Sequence, residues 1–388
     1  MSRLAELIAQ LCPDGVEYRA LGDVAELKRG EAVTRKEVVE GQVPVIAGGR
    51  EPAYYIDRSN RQGETIVIAG SGAYAGFVSF WDEPIFVSDA FSIVVDRSVL
   101  QPRFVYHWLS GRQEAIHALK SGGGVPHVYP KDVAKLRCPV PPLEVQREIV
   151  RILDQFTTLE AELDAELEAR RTQYEHYRNH LLSYESLAAR GPVSVIELQD
   201  VGVVRMCKRI HKAETSIQGD IPFFKISTFG GTPTSFISAE LYGKYKDKYP
   251  YPKKGDLLIS AAGTIGQIVR FDGADAYFQD SNIVWLEHDE SIVLNRYLYY
   301  VYLNTRWTTD GGTIKRLYNN RILQQQICVP PIETQITIAD LLDRFDALVN
   351  DISSGLPTEI AARRAQYEHY RDRLLSFPEK VVSVSDAS

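Results

Sequence analysis

Apolar residues recur three or four positions apart along two stretches of this chain. In the first they are Ile149, Ile152, Phe156, Leu159, Leu163, Leu167, Tyr174, Tyr177, Leu181 and Tyr184, with Glu and Arg filling the other positions. In the second, Ile338, Leu341, Phe345, Leu348, Ile352, Ile360, Tyr367, Tyr370, Leu374 and Phe377 follow the same period. Each stretch predicts one helix of about 40 residues, roughly 60 Å long. Pro141–Pro142 and Pro330–Pro331 precede them, at the helix start where a missing N–H costs little. A single apolar stripe on so long a helix needs a similar partner, and the other copy is the nearest one. Two helices each folding back on its own domain is the alternative.

Elsewhere the pattern is of short β-branched runs bounded by glycine, which read as strands joined by tight turns. GETIVIAGSGAYAGFV at 63–78 parallels GDLLISAAGTIGQIV at 255–269, and SDAFSIVV at 88–95 parallels QDSNIVWL at 279–286. GGGVPHVY at 122–129 parallels GGTIKRLY at 311–318. The helical words repeat more closely. PPLEVQ (141–146) returns as PPIETQ (330–335) and LDQF (153–156) as LDRF (342–345), both 189 residues on. ARRTQYEHYRNHLLSY (169–184) returns as ARRAQYEHYRDRLLSF (362–377), 193 residues on. The four added residues fall around Ser353, Ser354, Gly355 and Pro357; they turn a helix by about 400°, so a stutter or local break is expected there.

The duplication divides the chain into a globular segment at 1–142 with an N-terminal helix at 2–11, a helical spacer at 143–190, a second globular segment at 191–327, a second spacer at 328–377 and a flexible tail at 378–388. The fold class expected is α+β, with two globular α/β domains separated by two long helices in an antiparallel coiled coil and a pseudo-twofold internal repeat. A length of 388 residues suits two or three such cores, and 44% hydrophobic with 24% charged residues is ordinary for a soluble protein. No apolar run approaches a membrane span, and Glu6 and Gln10 interrupt the N-terminal apolar stretch, so a cytoplasmic protein is expected. Cys12, Cys138, Cys207 and Cys328 are far apart and form no CxxC pair, which argues for reduced structural thiols and against a zinc site.

The net charge of −7 is uneven: −1 over 1–142, −4 over 143–190, +2 over 191–327 and −4 over 328–388. The acidity lies in the helices. Basic and aromatic residues interleave in LYGKYKDKYPYPKKG (241–255), where Lys244, Lys246, Lys248, Lys253 and Lys254 alternate with tyrosines, suiting phosphate neutralisation and groove contact. GGREPAYYIDRSNRQG (48–63) is a weaker counterpart carrying Arg50, Arg58 and Arg61. Lys315, Arg316 and Arg321 in one half, against Lys120, His127 and Lys131 in the other, form a second basic cluster, and Lys225 completes the candidate DNA contacts.

Catalytic signatures are not found: the chain has no GxxxxGK[ST], HExxH or GxSxG. GSGAYAG (70–76) is not GxGxxG and reads as turn glycine between strands. His127 beside its glycine run has Arg316 as its counterpart, so the halves share no catalytic histidine. The chain reads as a binder without catalytic or metal-ligating residues.

Divergent globular halves alternating with helices of the form PPLxxQ…LD…F…QYEHYRxxLL resemble, over essentially the whole length, the specificity subunit of a Type I DNA restriction–modification system. The resemblance implies two target-recognition domains, each reading half of a bipartite asymmetric site in double-stranded DNA. It further implies helices that dock two adenine methyltransferase subunits and, through them, ATP-driven translocase–nuclease subunits. Arg170, Arg171, Tyr174, Tyr177, Arg363, Arg364, Tyr367 and Tyr370 are the candidate docking residues. S-adenosylmethionine, ATP and Mg²⁺ then belong to the partners, and this chain binds no cofactor. A fused methyltransferase or nuclease polypeptide and a coiled-coil scaffold unrelated to DNA are the rival readings.

Overall fold

The computed structural model describes residues 3–33, 38–122, 124–309, 315–350 and 355–380. It divides into unit 1, residues 1–165 with 359–388, and unit 2, residues 166–358. The division falls inside the helical stretches, so each unit combines a globular segment with pieces of both copies of the repeated helix.

Unit 1 runs α1 (Arg3–Leu11), β1 (Glu17–Ala20), α2 (Leu21–Val24), β2 (Ala25–Arg29), β3 (Val43–Ile46), β4 (Tyr55–Ile56), β5 (Glu64–Ala69), β6 (Val78–Asp82), β7 (Phe86–Val87), β8 (Ala90–Val95), α3 (Pro102–Ser110), α4 (Gln113–Ala118), α5 (Pro130–Val133), β9 (Arg137–Val140) and the first part of α6 (Leu143–Leu181). Its strands form sheets in the orders β2-β8-β5-β6, β4-β3-β7 and β1-β9. Pairing is antiparallel except between β3 and β7, where Val45 faces Phe86. β5 is central in its sheet and buried at every residue from Thr65 to Ala69, which explains its unbroken apolar run. The Gly-rich turn between β5 and β6 holds Gly72 and Gly76 at φ +83° and +86°, a backbone conformation that favours glycine. At Gly76 a Cβ would also meet Ile116, His117 and Val128.

Unit 2 continues with the rest of α6, α7 (Tyr184–Ala188), β10 (Ser194–Glu197), β11 (Gly202–Met206), β12 (Ile221–Phe224), β13 (Phe236–Ile237), α8 (Ala239–Lys248), β14 (Leu257–Ser260), β15 (Ile268–Arg270), β16 (Tyr277–Phe278), β17 (Ile283–His288), α9 (Asn295–Asn304), α10 (Asn319–Leu323), β18 (Gln326–Val329) and α11 (Ile332–Asn350). The sheet orders β11-β17-β14-β15, β13-β12-β16 and β10-β18 repeat those of unit 1 strand for strand, including the one parallel pair, β12 with β16. The α+β class and the internal repeat are therefore explicit in the fold. α12 (Leu356–Leu374) belongs mostly to unit 1.

Each repeated helix begins on a buried glutamine. Gln146 accepts from Gln101 N–H at 2.8 Å and donates to the carbonyls of Val99 (2.8 Å) and Pro141 (2.7 Å). Gln335 accepts from Leu294 N–H and donates to the carbonyls of Ile292 and Pro330, all at 2.9 Å. Both side chains are fully buried, so these bonds satisfy the amide groups of the glutamines where water cannot reach them. The last residue of the PPLEVQ and PPIETQ words is thus explained by its bonds. Val145, Ile149 and Leu153 then carry the α6 stripe into the core of unit 1 beside Phe104 and Trp108.

α6 is one helix of 39 residues, but the second copy is described as two of 19, α11 and α12. Ser353 and Ser354, where a break was expected, lie outside the described residues. Pro357 sits in the first turn of α12, where proline is accommodated. The expected flexible tail needs correction at its start: Glu379 bridges to Val16, Lys380 N–H bonds the Val16 carbonyl and Arg137 pairs with Glu379. Residues 381–388 lie outside the described residues. Among the described residues no helix is long and apolar enough to cross a membrane.

Candidate nucleic-acid interface

In unit 1 the turn after β5, the start of β8 and the segment before α5 converge on a cleft of about 420 Å³. Backbone bonds clamp the segment: Ser121 and His127 exchange N–H···O bonds at 2.9 Å, Gly72 N–H bonds Pro126 O and Val128 N–H bonds Gly70 O, both at 3.0 Å. Arg29, Asp89, His127 and Tyr129 line the cleft, and the His127 and Tyr129 rings stack at 6.0 Å. The Ser71 hydroxyl donates to the Asp89 carboxylate. Tyr74 in the turn after β5 and Val125 two residues before His127 are exposed.

The candidate cations of unit 1 have unequal freedom. Arg50 is exposed over the rings of Tyr74 (4.9 Å) and Phe77 (5.6 Å), and Arg58 is exposed over Phe86 (5.7 Å). Lys120 reaches the Ala73 carbonyl at 3.4 Å, beside the cleft turn. Arg61 is a correction. Its guanidinium donates to Ser92 Oγ (2.7 Å), Asn60 O (2.7 Å) and Arg29 O (3.0 Å), so its donors are used within the fold.

Unit 2 builds the matching place with other side chains. Leu317 N–H bonds Ala261 O at 2.9 Å, the counterpart of Val128 on Gly70. Arg316 stands where unit 1 has His127; its guanidinium donates to Ser281 O at 2.9 Å and lies over Tyr318. Arg209 pairs with Asp280 at 2.9 Å. Lys315 is exposed beside Arg316.

The tyrosine-lysine stretch is also corrected. Residues 239–248 form helix α8, capped by Ser238, and its three-and-four spacing turns Tyr242 and Tyr245 into the core of unit 2 together with Tyr251. Lys246 lies 2.8 Å from the Tyr242 hydroxyl and 3.4 Å from Asp275, and Lys225 donates to Ser235 Oγ at 2.7 Å. Tyr242, Tyr245 and Tyr251 are therefore packing residues rather than groove contacts. Lys244, Lys253 and Lys254 are exposed, with no hydrogen bond or ion pair of their ammonium groups among the described residues.

In both units pieces of the two helix copies run antiparallel. In unit 1 Phe156 stacks on Tyr370 at 5.4 Å, and Arg364 pairs with Glu160 (2.6 Å) and Asp164 (3.0 Å). In unit 2 Tyr177 stacks on Phe345 at 5.7 Å, and Leu181 lies beside Ile338 and Leu341. Tyr174 is buried and Tyr367 half-buried, so neither offers the open face expected for docking. Arg170, Arg171 and Arg363 are bonded along their own helices to Glu166, Glu168 and Glu359. Tyr177 and Tyr370 keep about two-fifths of their surface exposed.

Tyr367 meets a polar network that composition did not suggest. His107, fully buried, has Nε2 2.8 Å from Asp154 and Nδ1 2.9 Å from the Tyr367 hydroxyl, while Arg103 bonds the same carboxylate at 2.8 Å. The carboxylate can only accept, so Nε2 donates and Nδ1 of the neutral ring accepts from tyrosine. Burial pushes the His107 pKa down, in agreement with a neutral ring. The corresponding group in unit 2 has Arg296 and Tyr300 on Asp343. Arg103 and Arg296 were legible as equivalents at the 193-residue offset, but only a comparison of α3 with α9 exposes them.

The chain matches the family described as Type I restriction modification DNA specificity domain over residues 13–169 and 191–362. It is similar to a Haemophilus influenzae protein named as a type I restriction enzyme specificity subunit, with 42% identity over 93% of this chain and 96% of the relative. It is also similar to the Escherichia coli EcoR124I/EcoR124II specificity subunit, with 30% identity over 71% of each chain. The fold resembles the crystal structure of a Type I restriction–modification S subunit from M. genitalium, with TM-score 0.59, 18% identity and coverage of 93% and 96% of the two chains. A second solved structure, concerned with complex assembly and conformational transition of the type I system, gives TM-score 0.57, 19% identity and coverage of 94% and 98%.

Proposed function

Because the chain belongs to the Type I restriction–modification DNA specificity family, we propose that each of its two recognition domains reads one half of a bipartite, asymmetric site in duplex DNA. The observation that carries this is the repeated sheet order bearing different side chains at matched loops: the frames agree while Arg316 stands where His127 does. Equal frames with unequal readers suit two different half-sites. Exposed Arg50, Arg58, Lys244, Lys253, Lys254 and Lys315 suit phosphate contact, which fixes register without reading sequence.

The antiparallel helices, acidic overall, suit protein docking better than DNA contact. They are proposed to hold two adenine methyltransferase subunits and, with them, the ATP-driven restriction subunits. S-adenosylmethionine, ATP and Mg²⁺ are assigned to those partners, and this chain supplies recognition without catalysis. The length of the repeated helices is proposed to set the number of unspecified bases between half-sites.

Mapping methylated adenines in cells expressing the chain with its methyltransferase tests the reading. The expected motif is two unlike half-sites around a fixed gap. Deleting about one turn near Glu160–Leu163 should change the gap and leave both half-sites intact. Methyl transfer by the purified chain alone, or a motif without two halves, would overturn the proposal.

A further inference from the structure

The cleft beside His127 is unlike a phosphate site. Its groups are mixed: exposed Arg29 offers donors, exposed Asp89 can only accept, and the half-exposed His127 adds imidazole nitrogens. A carboxylate in the wall opposes a phosphate, whereas base edges present donors and acceptors side by side. The Arg29 guanidinium has no hydrogen bond or ion pair among the described residues, so it is available to a ligand.

The presentation is rigid as well as mixed. His127 has its backbone N–H and carbonyl both bonded to Ser121, and its neighbours Pro126 and Val128 are bonded to the turn after β5. A ring on a doubly clamped segment loses little freedom when it meets a ligand. Unit 2 repeats the bond from Val128 through Leu317 and Ala261 and also places an arginine and an aspartate nearby, Arg209 and Asp280, there paired with each other, but has Arg316 in place of the histidine. The backbone frame is thus shared while the side chain presented on it differs between the units.

We infer that the cleft formed by Arg29, Asp89 and His127 is the base-reading site of unit 1, with His127 as its specificity-determining group, and that Arg316 with Arg209 and Asp280 is the counterpart in unit 2. The inference rests on the DNA-recognition reading above and assigns its letters to particular side chains. Arg316 spends only its Nη2 on Ser281 and Asn282, and its Nε and Nη1 have no bond among the described residues, so it suits guanine, whose O6 and N7 accept from a guanidinium; Asp89 suits the amino group of cytosine.

The test is selection of bound duplexes from a randomised pool by the complex of the full chain with its methyltransferase, followed by sequencing. His127→Ala and Asp89→Asn should each lower the preference at one or two positions of a single half-site roughly ten-fold, leaving the other half-site unchanged. Arg316→Ala should do the same in the opposite half-site. Unchanged letters in both halves would overturn the inference. So would uniformly weaker binding with letters kept and a shallower salt dependence, the mark of a phosphate contact. Melting temperature and co-elution with the partner report folding; if a variant fails them, Arg29→Ala, at an exposed side chain, decides by the same readout. Failure of the unaltered complex to select any two-part site would instead sink the proposed function.

Discussion

The hydroxyl of Tyr367 donates to Nδ1 of His107 at 2.9 Å, joining a C-terminal helix residue to a core residue 260 positions earlier in the chain. Through the other ring nitrogen the same imidazole holds Asp154 of α6, so one buried side chain ties α3, α6 and α12 together within unit 1.

This tie should make unit 1 sensitive to mild acid. Burial holds the His107 pKa below its ordinary 6.5, so the unfolded chain takes up a proton there that the folded one resists. Stability from this group is complete above about pH 6.5 and is lost as pH falls through the window below it. For Asp154 burial favours a raised pKa, but the bonds from His107 and Arg103 outweigh it and leave the value lowered, which adds a loss of the same sign in stronger acid. Urea denaturation at pH 7.5 and 5.5 should show the wild type weakening, with a smaller pH effect in His107→Gln. Equal pH dependence in both would remove His107 from the account.

The two equivalent tyrosines should respond differently to losing their hydroxyls. Tyr367→Phe leaves a buried ring nitrogen without its donor and should cost about 1 kcal/mol. The buried Tyr174 hydroxyl has no partner among the described residues, and Arg178 stands over its ring at 5.4 Å. Tyr174→Phe should therefore be nearly neutral. Thermal melts of the two variants compare them directly.

Gln146→Ala would leave the Gln101 N–H and the carbonyls of Val99 and Pro141 without their partner. A loss of roughly 2–4 kcal/mol is expected, and Gln146→Glu should be no better, since a carboxylate would face two carbonyls. Gln335→Ala should show a similar loss, measured by urea denaturation.

Lysine and arginine in the basic clusters should separate by assay. Replacing Lys253 and Lys254 together with Ala should weaken DNA binding and reduce the log-log salt slope by about 2, with little change in melting temperature. Arg61→Ala should lower the melting temperature and leave the salt slope alone, because its donors are used within the fold. An altered slope in Arg61→Ala would return that residue to the DNA contacts.

The chain's duplication, its helices and the strand-turn-strand runs are determined by local sequence. The three-and-four spacing in α6 and the alternation of β-branched runs with glycine depend on neighbours within a few residues, and the repeat is visible as words such as PPLEVQ and QYEHYR. Gln146 shows the limit of that legibility: its repetition is plain in the sequence, while its bonds to Val99 and Gln101 are not. Only tertiary structure turned Tyr242 into the core, tied up Arg61 and buried Tyr174, because a side chain's exposure is set by what packs over it from distant parts of the chain. The same holds for His107 with Tyr367 and for Arg29, Asp89 and His127 around one cleft. Their meeting depends on how sheets and helices close, a balance of many long-range contacts that no local pattern records.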